Sequence, residues 1–369
     1  MKKRYVIAIP GGVKTGGPEA LHQLCAMMRL QNMDAAVLYY GHRDPNIIES
    51  YAKIYGNPEF RGGVDGTAIL IIPEAEDPAL WKAMGWQTLC VWWLSATRVY
   101  PLDDYFELYH CFQSFYARKH CEIFGLRGIM LTDYLAETKL HPVHEKSPKC
   151  NVILINHRSA HLVKFIAKAL PEFEICLLAG MDHSRVITEM LRGKVYVDVG
   201  WHPGRDRMPR EAAMAGCIVI TGNFGASSGD DIPIPSEFKL ANLTIEDLCR
   251  LIRMSIENYE EYYRRFEYYR HWIRQQEKEF QREVAELSAF FEAKPCSIGF
   301  NRPDFDAEWI SKERELQFLR NALSRTGVVE AVCLQALQLR IFALKYFASK
   351  VIARFKNISA RALQANRRK

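Results

Sequence analysis

One loop of the sequence concentrates side chains that bind phosphate groups. Arg205 and Arg207 lie together in this loop, and Arg210 follows three residues later. Arginine donates several hydrogen bonds in a planar fork that matches phosphate oxygens. The loop joins an apolar run at Val195–Val199 to a short helical pattern, and the start of a helix adds free N–H groups and a favourable dipole. The pattern therefore predicts a phosphate site.

Glu211 follows directly after this basic cluster. Its carboxylate can accept hydrogen bonds from two neighbouring ribose hydroxyl groups, so the cluster as a whole fits a nucleotide. The same residues also fit a solvated charge cluster in which Glu211 only caps free helix amides. Pro203, Gly204 and Pro209 shape the loop in a way that a plain surface does not need, which favours a binding site in which His202 and Gly204 take part.

A glycine-rich loop follows the first apolar run, Tyr5–Ile9. It contains Gly12, Gly16 and Gly17 and leads into a helical pattern that extends to about Gln31. Lysine and serine or threonine do not follow the last glycine, which excludes a P-loop. The glycines also do not form G-x-G-x-x-G, which argues against a nicotinamide enzyme.

The run Pro209-Arg-Glu-Ala-Ala-Met-Ala-Gly-Cys-Ile-Val-Ile220 resembles the "P-x-E-A-M-A-x-G-x-P-V-V" signature of GT-B glycosyltransferases, in the large group 1 family of retaining enzymes. Gln113–Gly125 is similar to that family's "S-x-x-x-A-x-x-L-x-x-x-G" helix. The resemblance implies that Glu211 binds ribose and that the first glycine loop, Gly11–Gly17, approaches the donor phosphates and the acceptor. Together these segments touch most of residues 5–240.

The sequence departs from the family pattern at two places. The family usually has a second glutamate eight positions before the ribose-binding one, where it contacts the donor sugar, and here that position is Pro203. His202, Arg205 and Asp206 are candidates to replace it. The family's "N-x-R/K-K-G" phosphate loop is matched only in part by Asn156–Ala160. Arg158 in this segment is either a ligand of the diphosphate or a loop arginine without a binding role.

Chemistry at the sugar needs stabilisation of the leaving diphosphate, which positive side chains and helix dipoles supply without a metal. No acidic pair at metal-binding spacing is visible in the sequence, so we predict no metal and no cofactor beyond the donor substrate. If the enzyme inverts, Glu74 is the candidate base, with Glu19 and His22 as alternatives and a surface role open for each. Trp93 and Ser95 end a strand and are candidates to line the acceptor cleft, although core packing fits Trp93 equally well.

These residues need two α/β units to position them. In the first half, strands are predicted at the apolar runs Tyr5–Ile9, Ala35–Tyr40, Ala68–Ile72 and Thr88–Leu94. In the second half they are predicted at Val152–Ile155, Glu174–Leu178, Val195–Val199 and Ile218–Ile220. Because buried parallel strands give continuous apolar runs, both sheets are expected to be parallel. The predicted fold class is α/β, with two Rossmann-like domains facing a cleft.

The polar stretch Glu137–Lys149 is predicted to link the halves. We predict an acceptor domain at 1–143, a nucleotide-sugar domain at 144–243, helices packing back at 244–300 and a basic tail at 301–369. The tail holds nine positive charges after Glu330, more than the net charge of +6 of the whole chain. Residues 331–356 form a basic amphipathic helical pattern that suits an anionic membrane surface, a helical partner or packing on the body.

The composition predicts a folded protein: apolar residues make up 49% of 369 residues, with no stretch long enough to span a membrane. Ten scattered cysteines predict a reducing cytoplasm, with peripheral attachment to the membrane through the tail as an option. We predict a metal-independent, hexosyltransferase-like enzyme that moves a sugar from a nucleotide-diphosphate sugar to a glycan or lipid-linked acceptor. The expected pathway is bacterial surface polysaccharide synthesis, and no nucleic-acid partner is expected. The alternatives are a non-catalytic binding protein of the same fold and a GT-B-type sugar-nucleotide epimerase.

Overall fold

The computed structural model describes residues 3–64, 66–96, 105–136, 148–241 and 244–293. Most of the predicted linker, Glu137–Lys149, and the whole basic tail at 301–369 lie outside these ranges. The described chain contains two parallel sheets covered by helices, which confirms the predicted α/β class with two Rossmann-like units. None of the helices in these ranges is both long and apolar enough to cross a membrane.

The first sheet has six strands in the order β2-β1-β3-β4-β5-β6, all parallel. Its strands are β1 (Arg4–Pro10), β2 (Asp34–Tyr40), β3 (Ala68–Pro73), β4 (Thr88–Trp93), β5 (Tyr109–Phe112) and β6 (Ile129–Met130). Its helices are α1 (Gly16–Leu30), α2 (Pro45–Tyr55), α3 (Pro78–Ala83) and α4 (Phe115–Ile123). The apolar runs predicted the first four strands, and the short β5 and β6 were missed because they present too few residues for a recognisable pattern.

The second sheet has five parallel strands in the order β11-β10-β9-β7-β8. Its strands are β7 (Cys150–Asn156), β8 (Glu174–Leu178), β9 (Gly193–Asp198), β10 (Ile218–Gly222) and β11 (Lys239–Leu240). Its helices are α5 (Val163–Ala169), α6 (His183–Arg192) and α7 (Arg207–Met214). Gly216, with a φ of 90°, ends α7 as the sequence predicts, because glycine adopts this backbone conformation without a Cβ clash.

Three helices follow the second sheet: α8 (Ile245–Glu257), α9 (Tyr259–Arg265) and α10 (Glu267–Glu292). Thr244 caps α8 by accepting a hydrogen bond from the Asp247 N–H, as its position predicts. The early part of α10 packs Tyr269 and Ile273 into the core of the second half. Its later part packs Phe280 and Val284 into the core of the first half. A single helix therefore contributes to both hydrophobic cores.

Alternation along the strands of the first sheet divides its core between two faces. Trp92 lies on the face covered by α1 and α10, whereas Trp93 lies on the opposite face with Trp81 of α3. Both indoles are fully buried. Helices cover the two faces of this sheet but not the carboxyl ends of its strands. In open α/β sheets, ligands bind at these ends.

Candidate functional site

The loops at the carboxyl ends of the two sheets meet each other. Between β9 and α7, the carbonyl of Pro203 accepts a 2.6 Å hydrogen bond from the Ala96 N–H, beyond β4. On the other side, Asp231 accepts hydrogen bonds from the backbone N–H groups of Phe115 and Tyr116, at 2.8 and 2.9 Å. The loop that the sequence singles out is therefore held against the first half of the chain.

Gly204 is required at this meeting point. A Cβ atom there would lie 2.5 Å from the Leu94 carbonyl oxygen, and real Cβ atoms do not approach backbone oxygens so closely. We expect Gly204→Ala to lower the free energy of unfolding by about 1–3 kcal/mol, because the loop must shift away from its neighbour. Urea denaturation measures this loss. Gly63→Ala is the control, since nothing lies within 4 Å of its added Cβ, and equal losses in the two variants would contradict the close packing.

Arg210 has a structural role in place of the predicted phosphate role. Its side chain is completely buried, and its Nη2 donates to both carboxylate oxygens of Asp133 at 2.9 Å. The same guanidinium also donates to Gln276 Oε1 and to the carbonyl oxygen of Arg205. Through these hydrogen bonds, Arg210 joins α7 to the first half and to α10. Because its N–H donors are occupied, its guanidinium is not available to bind a diphosphate.

Arg207 is likewise occupied by the first half. It forms ion pairs with Glu19 at 2.9 Å and Asp133 at 3.2 Å, and it donates to Gln23 Oε1 at 2.8 Å. Its aliphatic part lies against Gly16, where an added Cβ would be 3.1 Å from Arg207 Cδ. The structure thus brings Arg207 to the first glycine loop, as a phosphate ligand would require. Its charge, however, is already paired with Glu19 and Asp133. Glu19, an alternative base in the sequence, belongs to this ion pair.

The other glycines of the first loop have different neighbours. A Cβ at Gly12 would lie 2.8 Å from the His42 ring, which explains a glycine there by close packing. A Cβ added at Gly17, at the start of α1, would meet Leu94 Cδ1 at 3.6 Å, an ordinary contact, and no other described residue within 4 Å. The loop therefore faces the end of β4 and the segment around Arg207.

Arg158 and Asp206, each a quarter exposed, form one network with the buried His202 and Asp198. Arg158 pairs with Asp198 at 2.5 Å and with Asp206 at 2.8 Å. His202 is fully buried, with Nδ1 2.6 Å from Asp206 Oδ2 and Nε2 3.2 Å from the Asp198 carbonyl oxygen. Both ring nitrogens therefore face acceptors, which favours the imidazolium form.

The pKa values of this network follow from its geometry. Burial by itself lowers the pKa of His202, but the carboxylates of Asp198 and Asp206 outweigh it and raise that pKa above its ordinary value. Burial raises the pKa of Asp206, but Arg158 and His202 hold it far below its usual range. Both ring nitrogens of His202 are engaged within the chain, at Asp206 and at the Asp198 carbonyl oxygen, so neither is free to take a proton from an acceptor. The catalytic roles of His202 and Asp206 stay predictions.

Glu74 lies at the end of β3, in the part of the first half that faces the Pro203 loop. It is almost fully buried and accepts hydrogen bonds from Ser95 Oγ at 2.5 Å and from the Leu94 N–H at 3.0 Å. Burial raises the pKa of Glu74, in spite of these hydrogen bonds. Glu74 and Ser95 are thus brought together, and a carboxyl group with a raised pKa is suited to proton transfer near neutral pH.

Two further candidates from the sequence lie away from any open surface. Trp93 is completely buried and donates from Nε1 to His110 Nδ1 at 3.1 Å, so its indole face is not available for a sugar. His22 is buried among tyrosine rings, stacked on Tyr51 at a centroid distance of 4.4 Å. Burial lowers the pKa of His22 to about 4. Trp93 therefore belongs to the hydrophobic core, which was the alternative to an acceptor-binding role, and His22 packs inside the first half.

Glu211 occupies a different position from the arginines. It is 6% exposed on α7, and its Oε1 lies 3.3 Å from Nε2 of His183, a side chain that is 46% exposed. His183 is the first residue of α6, at the carboxyl edge of the second sheet beyond β8. Ligands of open α/β sheets bind at this edge. The sequence offers no motif that connects His183 with α7, and no pattern that marks Asp133, which follows a strand of only two residues.

Two facing Rossmann-like units with a helix that crosses back define the GT-B fold, and comparison with solved structures agrees. HepE of Anabaena in complex with UDP is similar with a TM-score of 0.57, at 10% identity over 78% of this chain and 99% of that chain. The complex of HepE with UDP-glucose gives 0.53 at 9% identity, again over 78% and 99% of the chains.

A mutant of the O-GlcNAc transferase of Thermobaculum terrenum is also similar, with a TM-score of 0.51 at 12% identity over 79% of this chain and 67% of that chain. No protein-family model and no curated protein sequence matches the chain. The chain therefore has the fold of GT-B glycosyltransferases, and at these identities the similarity concerns the fold.

Proposed function

We propose that this protein is a glycosyltransferase that binds a nucleotide-diphosphate sugar at the carboxyl edge of its second sheet. The observation that carries the proposal is Glu211, a nearly buried carboxylate whose Oε1 lies 3.3 Å from Nε2 of the half-exposed His183. A ribose that displaces this weak contact would offer two adjacent hydroxyl groups to the carboxylate. HepE, which has the same fold, was crystallised with UDP and with UDP-glucose, so uridine nucleotides are the first to test.

In the proposed reaction, an acceptor hydroxyl oxygen bonds to the anomeric carbon of the donor sugar. The bond from that carbon to the diphosphate breaks, and its electron pair leaves with the nucleoside diphosphate. Glu74, hydrogen-bonded to Ser95 and with a raised pKa, is the side chain of the facing edge that we assign to accept the acceptor's proton. Arg158, a quarter exposed, is the cation of the second sheet that we place nearest the departing diphosphate.

The acceptor in this proposal is a glycan or a lipid-linked glycan of the kind used in bacterial surface polysaccharide synthesis. The chemistry assigned to Glu74 and Arg158 needs no metal ion. Attachment to an anionic membrane surface or to a helical partner through residues 331–356 is a separate part of the proposal.

Glu211→Ala is expected to weaken binding of the matching nucleoside diphosphate by about 10- to 100-fold, because it removes the charged acceptor of two hydrogen bonds. Calorimetric titration with UDP, GDP, CDP, ADP and dTDP measures this on the full chain. Glu257→Ala, an exposed change at the end of α8, is the matched control and should bind as the wild type does. Absence of binding to all five nucleotides, or equal affinity in Glu211→Ala, would rule out the donor site.

A non-catalytic sugar-nucleotide-binding protein is the second candidate. It is favoured by one observation: Arg158, Arg207 and Arg210 are each paired with carboxylates of the chain itself. Such a protein would bind the nucleotide at Glu211 but would release no free diphosphate from the bound sugar nucleotide with any acceptor. An epimerase would instead release nucleotide and convert the sugar without an acceptor, so product analysis of the same incubation separates the three functions.

A further inference from the structure

The bend at Pro203–Gly204 in the second half is packed against the short segment that follows β4 in the first half. The Pro203 carbonyl oxygen accepts the 2.6 Å hydrogen bond from the Ala96 N–H. A Cβ atom at Gly204 would lie 2.5 Å from the Leu94 carbonyl oxygen and 3.3 Å from the Ser95 Cα. The bend therefore contacts three consecutive residues of this segment.

The same segment supplies hydrogen-bond donors to Glu74. The Leu94 N–H and the Ser95 hydroxyl donate to its two carboxylate oxygens, at 3.0 and 2.5 Å. The pairing of β4 with β3 and with β5 ends before Leu94, so the donors lie beyond both ladders of the sheet. Their position thus depends on other contacts, and the Pro203–Gly204 bend supplies some of these.

The bend is itself fixed to the second half. The His202 carbonyl oxygen accepts a hydrogen bond from the Ala226 N–H at 2.8 Å, and the Gly204 carbonyl oxygen accepts one from the Asp206 N–H at 2.9 Å. Gly225 packs so closely against the bend that an added Cβ would lie 2.2 Å from the His202 carbonyl oxygen. The bend therefore moves as part of the second half, and its contact with the first half depends on how the two halves are placed.

The protonation of Glu74 depends on the donors of the segment. Burial raises the pKa of Glu74, whereas the hydrogen bonds from the segment favour the carboxylate and lower that pKa. Burial also raises the pKa of Tyr40 on β2 and of Cys121 on α4, and the charge of Glu74 adds to both effects. These two groups stay neutral where carboxyl groups titrate. Glu76, in the loop after β3, also acts on Tyr40 and is a further charged group of this region.

We propose that the Pro203–Gly204 bend positions Glu74: where the halves touch, the bend holds Leu94 and Ser95 in the place from which they donate to the carboxylate. The inference rests on the proposed function, in which Glu74 accepts the proton of the acceptor. Because the second half also carries the edge assigned to the nucleotide, this contact links the placement of the donor half to the state of the base. Pro203 and Gly204 act through Leu94 and Ser95, so they are positioning residues.

Gly204→Ala tests this positioning, because the added Cβ forces the bend away from the Leu94 carbonyl oxygen. Proton binding by Glu74 is followed by ¹³C NMR of the full chain, labelled at the glutamate carboxyl carbons, with Glu74→Gln to identify the signal. Glu74 should bind its proton about three- to tenfold more tightly in Gly204→Ala than in the wild type, because the carboxylate loses aligned donors. Ser95→Ala should act in the same direction. The double variant should fall short of the product of the two effects, since both act partly through one hydrogen bond.

Two further variants serve as controls. No described residue lies within 4 Å of a Cβ added at Gly63, so Glu74 in Gly63→Ala should titrate as in the wild type. Asp231→Asn weakens the separate contact between the halves at the start of α4, and it should also leave the titration of Glu74 unchanged. An unchanged titration of Glu74 in Gly204→Ala, or an equal change in Asp231→Asn, would overturn the proposal.

Amide exchange of the wild type keeps the test decisive if Gly204→Ala fails to fold. The Ala96 N–H should exchange at least about 100-fold more slowly than an unprotected amide, because the Pro203 carbonyl binds it, and an unprotected Ala96 would refute the contact. Neither NMR measurement needs turnover, so this inference and the transferase function can fail independently. If UDP-glucose is turned over, the acid limb of the rate should move to higher pH in Gly204→Ala. An unmoved limb beside a shifted titration of Glu74 would instead contradict the role of Glu74 as the base.

Discussion

Asp133→Asn is expected to lower the free energy of unfolding by about 3–5 kcal/mol, because it leaves the buried charge of Arg210 without its carboxylate and removes one of the two carboxylates that pair with Arg207. Asp133 is fully buried and pairs with Arg210, also fully buried, and with Arg207. Burial raises the pKa of Asp133, but Arg210 and Arg207 outweigh it and hold that pKa below its ordinary value. Asparagine keeps the shape of the side chain, so the loss reports the charge rather than a cavity.

Urea denaturation followed by tryptophan fluorescence measures this loss by linear extrapolation. Asp34→Asn is the matched control: its partner Arg4 is half-exposed, and such surface pairs contribute at most about 1 kcal/mol. A loss in Asp133→Asn no greater than that of the control would show that the ion pairs do not hold α7 against the first half.

Acidification is expected to destabilise the protein through two buried histidines. Burial lowers the pKa of both His22 and His110 to about 4, from an ordinary value of 6.5. Between these values the unfolded chain binds protons that the folded chain does not, so stability falls as the pH falls. Each histidine should remove about 3 kcal/mol by pH 4. The buried groups Glu74, Asp231 and Glu283 act in the opposite sense, because their pKa values are raised.

A variant separates the histidine contribution from that of the carboxyl groups. His22→Phe preserves the stacking on Tyr51 and removes one titrating ring, so its loss of stability between pH 7 and pH 4 should be smaller than that of the wild type by about 3 kcal/mol. His271→Phe, an exposed change on α10, should keep the full loss. Urea titrations at a series of pH values measure the difference, and parallel pH curves for His22→Phe and the wild type would contradict the assigned burial effect.

His202 contributes with the opposite sign from His22 and His110. Its pKa in the folded protein is raised, so its contribution to stability is complete below its ordinary pKa and is lost as the pH rises through the raised value. This loss falls above the ordinary histidine pKa of 6.5 and does not enter the interval in which His22 and His110 act.

The sequence by itself determined the class of fold. Long apolar runs marked the inner strands of both sheets, because strands buried on both faces carry little else, and such strands pair in parallel. The signature around Glu211 indicated the GT-B fold, which comparison with solved structures confirms. These features are local in the chain, so they can be recognised without knowledge of tertiary contacts.

The tertiary structure decided what the charged residues do. The sequence predicts Arg207 and Arg210 as phosphate ligands because it does not show their carboxylate partner. That partner, Asp133, lies 74 and 77 residues away in the chain and meets them only in the fold. Burial of Trp93 depends on which face of β4 is covered, and an apolar run does not show this. Arg205 is buried like Arg210, but its Nε and Nη2 atoms have no hydrogen-bond partner among the described residues, and only the fold decides this difference. Ion pairing and burial depend on which residues are neighbours in space, and the sequence alone does not show which residues these are.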